Sequence, residues 1–209
     1  MMARLKTAVL ISGRGSNLAS LIAATRAPDF PAEIVLVVSN KANAGGLALA
    51  AGAGIRTAVV ESRPFGKDRA AFEAVLQAEL EAASIELVCL AGFMRVLTPA
   101  FVERWQGRML NIHPALLPAF PGLDTHERAL DAGVKIHGCT VHLVVPEVDS
   151  GPILAQAAVP VLPNDTPDTL AARVLAQEHV IYPAALARHA SGLSPGGADP
   201  TQALVVPSP

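Results

Sequence analysis

Asn111 and His113 are the residues whose types and spacing most directly predict catalysis in this chain. They lie two positions apart in Asn111-Ile112-His113, at the end of a predicted strand, so both side chains project to one side of it. An amide N–H and an imidazole N–H can together stabilise the negative charge that develops on an oxygen when a carbonyl carbon is attacked. A histidine at a strand end more often makes only structural hydrogen bonds than takes part in catalysis. A catalytic role for His113 therefore requires a partner residue.

Asp149 is the candidate partner, in the turn-like segment Pro146-Glu147-Val148-Asp149-Ser150-Gly151. A carboxylate close to His113 would favour the charged imidazolium form, which is a strong hydrogen-bond donor at neutral pH. The alternative is an aspartate that bonds its own backbone, which is the common role of Asp before Ser-Gly. The sequence leaves both possibilities open.

A glycine loop follows the first predicted strand and opens the first helix, with the sequence Ser12-Gly13-Arg14-Gly15-Ser16-Asn17. Unpaired N–H groups and the helix dipole make such a position suitable for a phosphate. A dinucleotide fingerprint is disfavoured because Leu18 stands where its third glycine should be, and no Gly-Lys-Ser or Gly-Lys-Thr completes a Walker loop. A tight turn without a ligand is the alternative.

Short β-branched segments alternate with longer segments of helical period, which predicts an α/β fold. We expect an open, mostly parallel, twisted sheet of about seven strands flanked by helices, a variant of the Rossmann architecture. The predicted strands cover residues 7–11, 33–39, 56–60, 87–91, 109–112, 136–145 and 153–161. The predicted helices cover residues 17–25, 45–51, 67–83, 98–105, 126–132 and 167 to about 189, the last with Thr166 as its N-cap.

Length and composition predict one domain, residues 1–190, followed by a tail rich in Pro and Gly at residues 191–209. The formal net charge of -2 gives no general attraction to nucleic acid or anionic lipid, and no apolar run is long enough to span a bilayer. Cys89 and Cys139 lie inside apolar runs, which disfavours a secreted disulfide scaffold and favours a cytoplasmic location.

A zinc site is the other chemistry that the sequence suggests at first sight, through His137, Cys139 and His142. In one extended strand the first two residues share a face and His142 points to the other. The three side chains therefore do not converge on one ion, and we predict no metal.

Four motifs in order resemble one known family: residues 12–17, Ala91-Gly92-Phe93-Met94-Arg95-Val96-Leu97, Asn111-Ile112-His113-Pro114-Ala115-Leu116-Leu117-Pro118, and Val148-Asp149-Ser150-Gly151-Pro152. The chain closely resembles the folate-dependent formyltransferases, in particular the phosphoribosylglycinamide formyltransferases, or GAR transformylases. The likeness runs from about residue 7 to residue 188.

The resemblance implies an enzyme that transfers a formyl group from 10-formyltetrahydrofolate to the amine of glycinamide ribonucleotide (GAR), in purine synthesis and without a metal. It implies that His113 is the catalytic acid, that Asn111 polarises the formyl oxygen and that Asp149 sustains the charge on His113. Ribonucleotide contacts are implied for Gly13, Gly15, Ser16, Asn17 and Glu178. Folate contacts are implied for Arg69, Met94, Arg95, Val96, Leu97, Asn111, Val144, Val145, Glu147 and Asp149. Arg14 and Asp124 depart from residues common in the family.

Three alternative functions are each disfavoured by a feature of the sequence. A methionyl-tRNA formyltransferase would need a basic domain to bind RNA, yet no Lys or Arg follows Arg188. A formyltetrahydrofolate hydrolase would be expected to carry an additional domain before the glycine loop, whereas the first strand begins near Thr7. A non-catalytic sensor of phosphate ligands is disfavoured because Asn111, His113 and Asp149 occur together. Whether the protein is a monomer or a homodimer is left open.

Overall fold

The computed structural model describes residues 4–192 and, as backbone only, Leu204–Val205. The chain divides into two compact units, Met1–Leu110 and Asn111–Pro209. Both contain strands and helices, and the fold is of the predicted α/β class.

The first unit contains a parallel sheet with the strand order β3-β2-β1-β4. Crossover helices join its strands, as parallel pairing requires. The strands are β1 (Leu5–Ile11), β2 (Ala32–Ser39), β3 (Arg56–Val59) and β4 (Leu87–Leu90), and the helices are α1 (Ser16–Thr25), α2 (Gly45–Gly52), α3 (Arg69–Ala82) and α4 (Pro99–Arg104). Residues Ala8–Ile11 of β1 are fully buried, which places this strand at the centre of the core.

Capping residues set the starts of α3 and α4. The Asp68 carboxylate accepts a hydrogen bond from the Ala71 N–H at 3.0 Å, so α3 begins two residues later than predicted. The Thr98 hydroxyl accepts from the Phe101 N–H at 3.3 Å, and Pro99 occupies the first helical position. In addition, a short 3-10 turn at Arg63–Phe65, which the sequence pattern did not predict, precedes α3.

The second unit begins at Asn111, within the strand β5 (Met109–His113). The helix α5 (Thr125–Asp131) and a pair of antiparallel strands follow. These are β6 (Ile136–Leu143) and β7 (Ile153–Pro160), and the strand order is β5-β6-β7-β8. The long helix α6 (Pro167–Ala190) packs against β6 and β7. Its start is fixed by reciprocal hydrogen bonds between Thr166 and Thr169, which confirms Thr166 as the N-cap.

The predicted elements agree with the structure to within two residues at every end. The strand β8, Leu204–Val205, is an addition to the seven expected, and it pairs with β7 in parallel. Most of the predicted tail, residues 191–209, lies outside the described residues, so the boundary at residue 190 stays a prediction. Within the part of the chain that the structure describes, no helix is both long and apolar enough to span a membrane.

Candidate active site

Asn111 and His113 lie at the carboxyl end of β5, and each contacts a residue that follows in the second unit. Nδ2 of Asn111 lies 3.2 Å from Nε2 of His142, and Nδ1 of His113 lies 3.4 Å from Oδ2 of Asp149. His142 and Asp149 are themselves close, with Nε2 and Oδ1 3.7 Å apart. The four side chains therefore form one connected chain of polar groups, which we call the Asn-His-Asp-His network.

Asp149 does not bond its own backbone. Its Oδ2 accepts a hydrogen bond from the Gly122 N–H at 2.8 Å, in addition to facing His113. The backbone of Asp149 has φ 54°, a left-handed conformation that is uncommon for residues other than glycine. The His113 and Asp149 side chains are 6% and 9% exposed, so little water screens the pair.

Both ring nitrogens of His113 face hydrogen-bond acceptors. Nε2 lies 2.9 Å from the carbonyl oxygen of Phe120, which can only accept, and Nδ1 faces the Asp149 carboxylate. An imidazole with acceptors on both sides is best satisfied when both nitrogens carry a proton. The geometry thus favours a positively charged His113, whose N–H on Nε2 is already engaged by the protein.

His142 is the member of the network that the sequence did not predict as a site residue. Its Nδ1 lies 2.9 Å from the Leu143 carbonyl oxygen, so Nδ1 carries the proton. Burial lowers the pKa of His142, while the Leu143 carbonyl and the Asp149 carboxylate oppose that effect. A neutral ring protonated on Nδ1 has a lone pair on Nε2, which accepts from the Asn111 amide and fixes its orientation. The sequence pattern gives the face of His142 on β6 but not its partner.

The glycine loop of the first unit is shaped by close packing of two glycines. Gly15 has φ 81°, and a Cβ on it would lie 2.7 Å from Cα of Gly46 in α2. The Gly46 N–H donates to the Gly13 carbonyl at 3.1 Å, which ties the loop to the start of α2. As N-cap of α1, Gly15 has no side chain to bond the first-turn N–H groups, and Ser16 is exposed. These features suit an anion.

The predicted folate-side residues of the first unit lie on α3 and on the segment after β4. Arg69 is the first residue of α3 and is exposed. The Arg95 guanidinium stacks over the Phe72 ring at 4.6 Å from its centroid. Met94 and Val96 are 68% and 57% exposed, whereas the Leu97 side chain is buried. Leu97 can therefore offer a ligand only its backbone.

The remaining predicted site residues belong to the second unit. Glu178 lies on α6 and is buried. Burial raises the pKa of the Cys139 thiol, and the negative charge of Glu178 adds to that effect. Cys139 is therefore held as an unreactive thiol. In the loop after β6, Val144 and Val145 are half-buried and Glu147 is exposed. Among the described residues, no group of three or more His, Cys, Asp or Glu side chains could hold a metal ion.

Comparison with known proteins identifies the family. The chain matches the sequence profile of the family described as formyl transferase over residues 5–186, which is most of its length. It belongs to the formyl transferase family. Every predicted site residue, from Gly13 to Glu178, lies within the matched residues.

Individual relatives match nearly the whole of this chain, but the share of their own length that is matched differs. The phosphoribosylglycinamide formyltransferase of Escherichia coli is 47% identical over 184 residues, covering 88% of this chain and 86% of that protein. The trifunctional purine biosynthetic protein adenosine-3 of Homo sapiens is 52% identical over 187 residues, covering 90% of this chain. The match spans only 18% of that human protein, so the chain corresponds to a small part of the trifunctional relatives.

Solved structures of family members have the same fold. The crystal structure of phosphoribosylglycinamide formyltransferase from Brucella melitensis is 55% identical, with a TM-score of 0.86 and coverage of 92% of this chain and 98% of that one. Glycinamide ribonucleotide transformylase 1 from Symbiobacterium toebii is 44% identical, with a TM-score of 0.88 and coverage of 92% and 90%. The mostly parallel α/β fold predicted for this chain is thus the fold of these enzymes.

Proposed function

We propose that this formyltransferase transfers the formyl group of 10-formyltetrahydrofolate to the amine of GAR, giving formylglycinamide ribonucleotide and tetrahydrofolate in purine biosynthesis. The Asn-His-Asp-His network is the observation that carries the proposal, because it combines an oriented amide with a histidine between two acceptors. Both groups can donate to one oxygen that becomes negatively charged. That is the requirement of acyl transfer to an amine.

The amine nitrogen attacks the formyl carbon and forms a C–N bond, and the formyl oxygen takes up the negative charge. Collapse of this tetrahedral intermediate breaks the bond to N10 of the folate. The proton lost by the amine then replaces the formyl group on N10. An alkyl amine is partly unprotonated near neutral pH, so it can attack without an activated protein nucleophile, and orientation with charge stabilisation provides the catalysis.

Asn111 is the first donor to the oxyanion. Its amide has two N–H groups, and His142 accepts from one of them at a distance of 3.2 Å between the nitrogens. The second N–H is directed by this fixed orientation and donates to the formyl oxygen. Preorganised donors of this kind lose little energy to reorientation as the charge develops.

His113 is the second donor, through the N–H on Nε2. In the structure this N–H donates to the Phe120 carbonyl at 2.9 Å, and the substrate oxygen takes the place of that carbonyl during the reaction. Asp149 remains on Nδ1 and stabilises the positive charge. Catalytic hydrogen bonds are often completed only in the substrate complex, which is consistent with this exchange.

The proposed binding residues form two sets, one for the ribonucleotide and one for the folate. The start of α1 holds the ribonucleotide phosphate through Gly13, Gly15, Ser16 and Asn17, and Glu178 contacts the glycinamide. Arg69, the residues 94–97, Val144, Val145 and Glu147 form the folate side together with Asn111 and Asp149. Support comes from the open first turn of α1 and from the exposed side chains of Met94 and Val96.

The enzyme acts on small molecules, and we place it in the cytoplasm as a monomer or a homodimer, with residues 1–190 as its catalytic domain. An acceptor assay tests the proposed activity. Purified protein is supplied with 10-formyltetrahydrofolate and with GAR, with initiator tRNA or with water alone, and tetrahydrofolate release is followed. Release that depends on GAR is expected. Release with tRNA or with water alone at the same rate would assign a different formyl enzyme, and no release would contradict the proposal.

A further inference from the structure

Ser12 and Asn40 are buried polar residues of the first unit to which no role has been given so far. They are 5% and 6% exposed, and each directly follows a strand, β1 and β2 respectively. The strands of this sheet are parallel, so their carboxyl ends meet at one edge. A buried hydroxyl and a buried amide at that edge need partners, because unpaired polar groups are costly away from water.

The partners of Ser12 connect two loops. The Ser12 hydroxyl donates to Oδ1 of Asn40 at 2.6 Å. Oγ of Ser12 also accepts a hydrogen bond from the backbone N–H of Met94 at 2.8 Å. Asn40 in turn has Nδ2 at 3.4 Å from the Ser62 hydroxyl, which follows β3. The Ser12 hydroxyl is thus fixed in rotation by Asn40, so that its lone pair is presented to Met94.

Within the segment of residues 92–97, Leu97 is buried and Arg95 stacks on Phe72, but Met94 lacks such an anchor. The side chains of Met94 and Val96 are mostly exposed, so they do not anchor the backbone in the core. The far end of the segment is held instead by Glu73 on α3, whose carboxylate accepts from the Thr98 N–H at 2.7 Å. At Met94 itself, whose side chain is mostly exposed, the hydrogen bond to the Ser12 hydroxyl holds the backbone N–H.

We infer that Ser12, locked by Asn40, is a positioning residue that sets the folate-side segment of residues 92–97 against the glycine loop that begins at Gly13. The inference rests on the proposed function. Ser12 itself touches neither substrate and acts through the Met94 backbone and through the start of the loop. Its loss should weaken the binding of both substrates, because one hydroxyl orders the two binding segments.

The first test compares Ser12→Ala and Ser12→Thr with the wild-type enzyme in steady-state kinetics. Loss of one buried hydrogen bond changes an equilibrium about fivefold, so Ser12→Ala should raise the KM values for 10-formyltetrahydrofolate and for GAR about fivefold each. The kcat should stay within about twofold, and Ser12→Thr should restore most of both affinities. Unchanged KM values, or a change in the GAR KM alone, would overturn the inference.

Thr25→Val is the matched control, since Thr25 also has a buried hydroxyl in this unit, and that hydroxyl donates within α1 to the Ile22 carbonyl. It should leave both KM values unchanged even if it lowers the melting temperature. A rise in both KM values in this control would show that general destabilisation, and not the Ser12 hydroxyl, weakens binding.

A second variant covers the case in which Ser12→Ala folds poorly. Asn40→Ala leaves the Ser12 hydroxyl in place but frees its rotation, so it should raise the same two KM values, and the double variant should lose less than the sum of the two single variants. Wild-type kinetics for Asn40→Ala would contradict the inference. Hydrogen exchange adds a readout independent of activity: the amides of residues 92–97 should exchange faster in both variants, and equal exchange would count against it.

Titration calorimetry with tetrahydrofolate separates this inference from the proposed function. A wild-type protein that binds tetrahydrofolate about fivefold more tightly than Ser12→Ala supports the positioning role even if GAR is not the acceptor. Equal affinity of the two proteins contradicts the positioning role and leaves the acceptor assay to judge the function. A wild-type protein that does not bind tetrahydrofolate, and that does not release tetrahydrofolate from 10-formyltetrahydrofolate, contradicts both the positioning role and the proposed function.

Discussion

Nδ1 of His113 lies 3.4 Å from Oδ2 of Asp149, and the same oxygen accepts the Gly122 N–H at 2.8 Å. The carboxylate therefore joins the histidine to the loop that carries Gly122. Because Nε2 of the same ring faces the Phe120 carbonyl, His113 is enclosed by acceptors from two directions. The proposed catalysis depends on the positive charge that this arrangement of acceptors favours on His113.

Asp149→Asn tests the charge of the carboxylate while preserving its shape. The amide can still accept from Gly122, but it no longer stabilises an imidazolium, so kcat should fall about a hundredfold. Asp165→Asn is the control, because Asp165 is a buried carboxylate of the second unit that pairs with Arg173 at 2.7 Å. It should lower stability and leave kcat unchanged. Equal kcat values for Asp149→Asn and the wild type would contradict the role given to Asp149.

His142→Phe tests the orientation of the Asn111 amide. The substitution keeps a ring of similar size but removes the acceptor at Nε2, so kcat should fall about tenfold with little change in either KM. His142→Gln, whose side-chain oxygen can accept, should recover part of the loss. Steady-state kinetics on the three proteins measure this, and a fully active His142→Phe enzyme would exclude His142 from the network.

Gly15→Ala and Gly13→Ala form a matched pair for the glycine loop. An alanine at position 15 would need a positive φ and would bring its Cβ within 2.7 Å of Gly46, whereas at position 13 the Cβ meets nothing within 4 Å. Urea unfolding should show a loss of about 2 kcal/mol or more for Gly15→Ala and about 0.5 kcal/mol or less for Gly13→Ala. Equal losses would mean that the close approach of Gly15 and Gly46 does not shape the loop.

The buried histidines of the second unit predict loss of stability in acid. Burial, with His126 adding a like charge nearby, lowers the pKa of His137 to about 4. Burial also lowers the pKa values of His126 and His142. An unfolded histidine titrates near 6.5, so between about pH 6.5 and pH 4 the unfolded state binds more protons, and the free energy of unfolding falls as the pH falls.

His137→Phe should flatten this dependence, because the substitution removes one titrating group. Urea unfolding at several pH values should give a slope reduced by up to about 1.4 kcal/mol per pH unit in that window. Phe101→Leu, which alters a buried ring that does not titrate, is the control and should keep the wild-type slope even if it lowers stability. Parallel curves for His137→Phe and the wild type would show that His137 does not contribute.

Most of the fold could be predicted from the sequence because local signals were strong. Proline at position 167 after a threonine predicted the start of α6, and the glycine loop predicted the start of α1. The 3-10 turn at Arg63–Phe65 gave no such signal, since it is too short to show a helical period. The predicted start of α3 at Lys67 is two residues early, because Asp68 caps the helix and Arg69 is its first residue.

The site was predictable in its residue types but not in its contacts. Asn111 and His113 were placed on one side of β5 by the period of a strand, and the structure gives them neighbouring partners. The contact between Asp149 and His113 joins residues far apart in the sequence, which no local pattern specifies. The sequence suggests His142 only as a zinc ligand, because its contact with Asn111 depends on the strand order β5-β6.

The rate of formyl transfer in His113→Ala, with both substrates saturating, is the most direct test. Loss of one donor to the oxyanion should slow transfer from 10-formyltetrahydrofolate to GAR about a hundred- to a thousandfold. The dissociation constant of GAR should stay within about twofold, because the glycine loop is untouched. A His113→Ala enzyme that transfers the formyl group at the wild-type rate would contradict the catalytic role of the charged histidine.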